Sequence, residues 1–177
     1  FTLSFILVLV SEIKPNYIIK NSILFLSVSS ASAILGSSLS YFVLLTFFLI
    51  VSFYDIFSVF ISKHMIYLAE KLSNKPSIFI SIFPSGKFRN VYFGKKYKKV
   101  RVFGLGAGDY LLPSSFSVSL INLGMKYPLF VILVNTLTIF LLFNYLSKRK
   151  NSRPLPAIPF LFTSSLIGFI LSQMIPF

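Results

Sequence analysis

Two aspartates stand in apolar surroundings in this chain of 177 residues, Asp55 in "IVSFYDIF" and Asp109 in "VFGLGAGDYLLPS". A carboxylate inside a bilayer is costly enough to mark a functional site by default. Two that share a site do what neither does alone: they cannot both ionise easily, so one keeps its proton while the other carries the charge. Such a pair activates a water with the ionised member and protonates a carbonyl oxygen with the other. That is hydrolytic chemistry without a metal or cofactor. Which aspartate holds the proton is not assignable, because a coupled pair titrates as a unit.

Other chemistries lack their residues. There are no cysteines, which removes thiolate nucleophiles and disulfides and leaves the redox compartment open. The single histidine, His64, excludes an H-E-x-x-H zinc site. Beside Lys63 it reads as a solvated helix-end residue rather than the base of a serine dyad. Glu12 and Glu70 fall in loops and receive no role. A dinucleotide site is also excluded. The strand-like "KKYKKVRVF" followed by "GLGAG" imitates the pyrophosphate turn. Counted from Gly104, however, the third glycine position is Asp109, whose charge repels phosphate, and no acidic residue follows it for the ribose.

The elements that must position the pair are membrane spans. The chain is 55% hydrophobic with 22 Phe and only 12% charged, against roughly 25% charged in a soluble domain. Its mean hydropathy is +0.84. The net charge of +13 would point to nucleic acid in a soluble chain. Here the basic residues sit in loops between apolar runs, where lipid headgroups explain them, so nucleic acid is set aside.

A spanning helix needs about 20 apolar residues. The single membrane domain, residues 1–177, then divides into a partial span at 1–10 and whole spans at 17–36, 39–62, 102–124, 127–146 and 155–176. The polar stretch 63–101 lies between the second and third whole spans. Opening at Phe1 in an apolar run, the chain reads as part of a longer protein with its first span truncated. Within 63–101, "KHMIYLAEKLSNK" reads as an interfacial helix, and "SIFISIF" with "KKVRVF" as a small β-hairpin. Threading the loops puts every basic residue except Lys126 on one face, which the positive-inside rule makes cytoplasmic. The expectation is a multi-pass plasma-membrane protein with 63–101 inside and the C-terminus outside.

Asp55 lies eight residues before Lys63 and Asp109 eight residues after Arg101. If both stretches are helical, at 1.5 Å per residue both carboxylates sit about 12 Å below the cytoplasmic edge. Gly104 and Gly108 then share one helical face and let a neighbouring backbone approach. "RPLPAIPF" opens the last span, where Pro154, Pro156 and Pro159 keep the entry non-helical. Asn135 and Gln173 are expected to make interhelical hydrogen bonds.

A Tyr-Asp pair (Tyr54, Asp55), then Gly-x-Gly-Asp (Gly106, Ala107, Gly108, Asp109), then Pro-Ala-Ile where the pattern has Pro-Ala-Leu (Pro156, Ala157, Ile158) resembles the presenilin and signal peptide peptidase family of intramembrane aspartyl proteases. An archaeal or bacterial presenilin-like member is the expected kind. The resemblance covers essentially the whole chain, which would correspond to the family's fourth through ninth spans. It implies an all-α polytopic bundle, here of five whole helices and one truncated helix with the small hairpin before the Gly-x-Gly-Asp span. It further implies cleavage within transmembrane peptide substrates, with Asp55 and Asp109 catalytic and Tyr54 and the two short motifs shaping the site.

Two alternatives stand beside it. Prepilin and preflagellin peptidases share Asp with Gly-x-Gly-Asp but lack the Pro-Ala-Leu element, and a transporter would use the aspartates as a proton or ion relay. The strand character of Lys98–Phe103 adds one expectation: an unwound substrate segment pairs with its edge ahead of Asp109, with Val100 and Val102 as main-chain donors.

Overall fold

The computed structural model describes residues 17–62, 80–84, 102–148 and 155–175. The expected partial span 1–10, the interfacial stretch 63–75, Val100 and Pro154 lie outside them. The fold is predominantly helical. The described elements are α1 (Tyr17–Ser38), α2 (Tyr41–Phe57) continued by a π-helical turn Ser58–Ser62, β1 (Ile80–Pro84), β2 (Val102–Gly106), α3 (Ala107–Ser119) continued by a 3₁₀ turn Leu120–Leu123, α4 (Lys126–Lys148) and α5 (Ile158–Met174).

Among the described residues three stretches are helical, long and apolar enough to cross a membrane: Ile18–Ser38, Tyr41–Phe60 and Lys126–Leu146. Ile158–Met174 is apolar but shorter. Their outer faces carry large apolar side chains such as Phe42, Phe53, Ile132 and Ile170. Exposed among the described residues, such faces suit hydrocarbon.

The segment carrying Asp109 departs from the expected uninterrupted helix at 102–124. Val102–Gly106 is a strand, paired antiparallel with β1 in the register Ile80↔Gly106, Ile82↔Gly104 and Pro84↔Val102. The helix begins only at Ala107. Glycines at 104 and 106 weaken a helix by about 1 kcal/mol each relative to alanine, whereas the ladder gives their main-chain groups partners. Helical rise therefore does not set the two carboxylates at one depth, because a strand rises about 3.3 Å per residue rather than 1.5 Å. Gly104 and Gly108 do not share a helical face, since one lies in β2 and the other in α3. Of the expected strand Lys98–Phe103, Val102 and Phe103 lie in β2, which runs on to Gly106, and residues 98–101 lie outside the described ones. Residues 85–101 lie outside the described ones, so the ladder is described and the turn of the expected hairpin is not.

Helix α3 has 13 residues, only about 20 Å, and it is the hub, packing against α1, α2, α4 and α5. Leu112, Phe116 and Leu120 from this segment meet Leu44 and Phe48 of α2, Val131 of α4 and Leu161 of α5 in one buried cluster. The segment ends at Gly124 with φ 132°, a conformation in which a side chain would be strained.

Small residues let the helices close. A methyl group at Gly36 on α1 would lie 2.5 Å from Val118 Cβ and 2.6 Å from the Ser115 carbonyl oxygen on α3. One at Gly168 on α5 would lie 2.8 Å from Val131 Cα on α4. Beside that second contact Asn135 donates from Nδ2 to Ser165 Oγ at 3.0 Å and accepts from Ser164 Oγ, the interhelical bonding expected of it. At the far end Lys126 Nζ lies 3.5 Å from the Ile175 carbonyl oxygen, a cation at the C-terminal end of a helix.

Because the obstacle at residue 168 is main chain, Gly168→Ala is expected to destabilise the protein by about 1–3 kcal/mol. The same change at Gly108, where an added methyl meets nothing within 4 Å, is expected not to lower stability. Thermal unfolding of both variants in detergent checks the contrast, and equal losses would contradict it.

Candidate active site

The first turn of α3 answers why an aspartate follows the glycines. Gly106 is the N-cap residue of the helix and Asp109 its third helical residue. Gly106 donates its N–H to Asp109 Oδ2 at 3.0 Å. That is the side-chain half of a capping box, closed here by an aspartate. The carboxylate lies by the N-terminal end of the helix, where unpaired N–H groups and the macrodipole favour negative charge.

Asp55 has the same kind of partner from another element. It lies near the end of α2, 6% exposed, and its Oδ2 accepts the N–H of Ile158 at 3.3 Å. Ile158 is the first residue of α5, preceded by non-helical Leu155–Ala157 and followed by Pro159 in the first turn. Proline suits that turn because its missing donor has no partner to lose there. The Pro-Ala-Ile stretch thus turns a main-chain donor from the start of α5 onto Asp55.

Helices α2 and α3 pack together, with Asp55 near the end of one and Asp109 in the first turn of the other. The structure therefore brings together Asp55, Asp109, Gly106 and Ile158. Pro156 is buried beside them in sequence, while Ala157 and Ala107 are half-buried. Gly108 is exposed.

Tyr54 is not drawn in. It is 69% exposed, whereas Asp55 is 6% exposed, because adjacent helical residues point about 100° apart. Val102 lies in β2, and Val100 lies outside the described residues. Among the described residues no group of three His, Cys, Asp or Glu side chains is placed to hold a metal.

Two donors escaped the sequence reading because both are main-chain groups. The bond from Gly106 to Asp109 was within reach, since the two are spaced three apart as in a capping box. The bond from Ile158 to Asp55 crosses 103 positions and no local pattern announces it.

Comparison with protein families finds that residues 1–176 match the model described as "Signal-peptide peptidase, presenilin aspartyl protease". Comparison with curated proteins and with solved structures finds no significant match. The chain belongs to the signal-peptide peptidase and presenilin family of aspartyl proteases, a membrane-embedded family.

The capping geometry separates two roles of Asp109 that a single deletion would merge. Asp109→Asn keeps an oxygen that can accept the Gly106 N–H, while Asp109→Ala does not. The alanine variant is expected to be less stable by about 1 kcal/mol, measured as the difference in thermal unfolding in detergent. Indistinguishable stabilities would mean that the cap contributes nothing.

Proposed function

We propose, taking family membership as the premise, that this protein hydrolyses peptide bonds within transmembrane helices by a two-aspartate mechanism. The observation that carries the reading is that Asp55 and Asp109 stand on two helices that pack together, each carboxylate held by a helix-start N–H. The ionised aspartate takes a proton from water as the oxygen attacks the scissile carbonyl carbon. Its protonated partner gives a proton to the carbonyl oxygen, forming a neutral gem-diol. Collapse of that intermediate breaks the C–N bond. A proton passes to the leaving nitrogen and another returns to the dyad, leaving one aspartate protonated as at the start. Each carboxylate serves in both states, so neither suffices alone.

Pro156, Ala157 and Ile158 form one wall of this site, and Gly106, Ala107 and Gly108 the other. The openness around Gly108 supports this reading. A helical glycine that packs against nothing within 4 Å costs stability without any gain inside the bundle, and a substrate main chain passing close by would supply the reason. Tyr54, facing outward, has at most an indirect part.

A substrate helix must be unwound before its carbonyls are reachable, and the unwound main chain then needs partners. Strand β2 offers them on the side away from β1. Antiparallel residues alternate between turning their N–H toward the partner strand and away from it. Gly106 donates to Asp109 rather than to β1, so Gly104 and Val102, two and four residues earlier, turn theirs to the same outer side. A strand added there leads to the Asp109 carboxylate. The informative pair is Val102 and Phe103.

The proposed membrane arrangement places the spans at 17–36, 39–62, 102–124, 127–146 and 155–176, with 63–101 cytoplasmic and the C-terminus outside a plasma membrane, because every basic residue except Lys126 falls in one set of loops. Substrates would then present an extracellular N-terminus. The transporter and prepilin-peptidase alternatives recede against a family match that spans residues 1–176.

Asp55→Ala and Asp109→Ala are each expected to abolish cleavage of a transmembrane peptide by the purified protein, read by mass spectrometry, while the protein stays folded. Full activity in either variant would end the dyad reading. Val102→Pro is expected to impair cleavage with the β1–β2 pairing retained, whereas Phe103→Pro disturbs that pairing itself. Undiminished cleavage by folded Val102→Pro would remove strand addition and leave the dyad.

A further inference from the structure

Pro113 lies inside α3, four residues after Asp109. An α-helix bonds each carbonyl to the N–H four residues on, and proline has no N–H. The carbonyl released is therefore that of Asp109 itself. Neighbouring carbonyls of the same helix are well supplied: Ser114 Oγ donates to Tyr110, Ser115 Oγ to Leu111 and Ser117 Oγ to Pro113, at 2.6, 2.8 and 2.8 Å. Ser32 of α1 adds a second, longer bond to Leu111 at 3.4 Å. No described side chain donates to the Asp109 carbonyl.

The released group faces the site. Residues 109, 112, 113 and 116 share one side of the helix. Leu112 and Phe116 pack into the cluster with Phe48 of α2 and Leu161 of α5, the two helices that supply Asp55 and the N–H of Ile158. The other side of α3 belongs to α1, through Gly36 against Val118 and Phe25 against the Tyr110 ring. The Asp109 carbonyl thus points to the deep side of its own carboxylate, above an apolar plug.

At this depth a carbonyl without a donor costs several kcal/mol, and the reaction needs water here. We propose that Pro113 holds the Asp109 main-chain carbonyl open as the floor of the active site, where it accepts a hydrogen bond from a water molecule that serves the dyad. This rests on the proteolytic reading of the two aspartates. Pro113 is a positioning residue: it acts by withholding a donor, and alanine in its place would supply one and close the floor.

The chain has two aspartates, so protein made with aspartate carrying ¹³C at the main-chain carbonyl, in an Asp55→Asn background, reports on Asp109 alone. Isotope-edited infrared spectra in proteoliposomes are expected to show that carbonyl band shifting promptly on transfer to D₂O. The shift should disappear when Pro113→Ala or Pro113→Gly is added. With both aspartates present, Pro113→Ala is expected to raise the unfolding temperature yet lower kcat about tenfold with little change in KM, the size of one lost hydrogen bond to a reacting group. A D₂O-insensitive Asp109 carbonyl, or cleavage within twofold of the parent in folded Pro113→Ala, overturns the proposal. If the parent protein cleaves nothing, the proteolytic reading falls, and the infrared result still decides whether the carbonyl is hydrated.

Discussion

In the hydrocarbon region water is not available to satisfy main-chain N–H and C=O groups, so outside a wet cavity each needs a partner within the protein. Helix starts are the hardest case, because their first N–H groups have no intrahelical acceptor. In this chain two such starts, those of α3 and α5, are served by the carboxylates of Asp109 and Asp55. The same two bonds hold the carboxylates in place. Capping and chemistry are consequently one arrangement: the residues that would activate water also complete the helices that present them. The strand before α3 belongs to the same solution, since pairing with β1 gives partners to a glycine-rich stretch too weak in helix propensity to continue α3 backward.

The packing around this arrangement explains an oddity of composition. Helix α3 is short, contains a proline and carries Ser114, Ser115, Ser117 and Ser119, so it does not qualify as a spanning helix by length and hydropathy. It need not, because four other helices surround it and its hydroxyls bond back onto main-chain carbonyls. Such back-bonding lets a polar side chain reside in a bundle without an interhelical partner. The apolar work falls to α1, α2 and α4, whose outer faces suit lipid, and to one cluster centred on Phe48, Phe116 and Leu161. Where α5 meets α4, a glycine and the Asn135 bonds to Ser164 and Ser165 set the approach. That contact fixes the helix whose first N–H reaches Asp55.

Much of the architecture was legible in the chain itself. Hydropathy marked the three stretches that are helical and long enough to span, Ile18–Ser38, Tyr41–Phe60 and Lys126–Leu146, and the two aspartates in apolar runs stood out because ionisable residues inside a membrane are expensive. Their order with the glycines and the Pro-Ala-Ile stretch carried the resemblance to a family that the chain then matched over residues 1–176. The reading of residues 102–106 as helix came from treating a long apolar run by its length. A run of that kind does not say where extended backbone gives way to helix, and only the pairing partner at Ile80–Pro84 decided it.

Residue identity, spacing and hydrophobic content are local properties, and they determined that this protein lies in a membrane, that it carries two aspartates in apolar stretches, and that glycine and proline punctuate their surroundings. Contact between helices is not local. That α2 and α3 lie together, that Tyr54 turns outward while Asp55 turns in, and that Ile158 reaches a carboxylate 103 positions away depend on how whole helices pack. Packing sums many small dispersion contacts spread along each helix, and no short stretch of sequence encodes that sum.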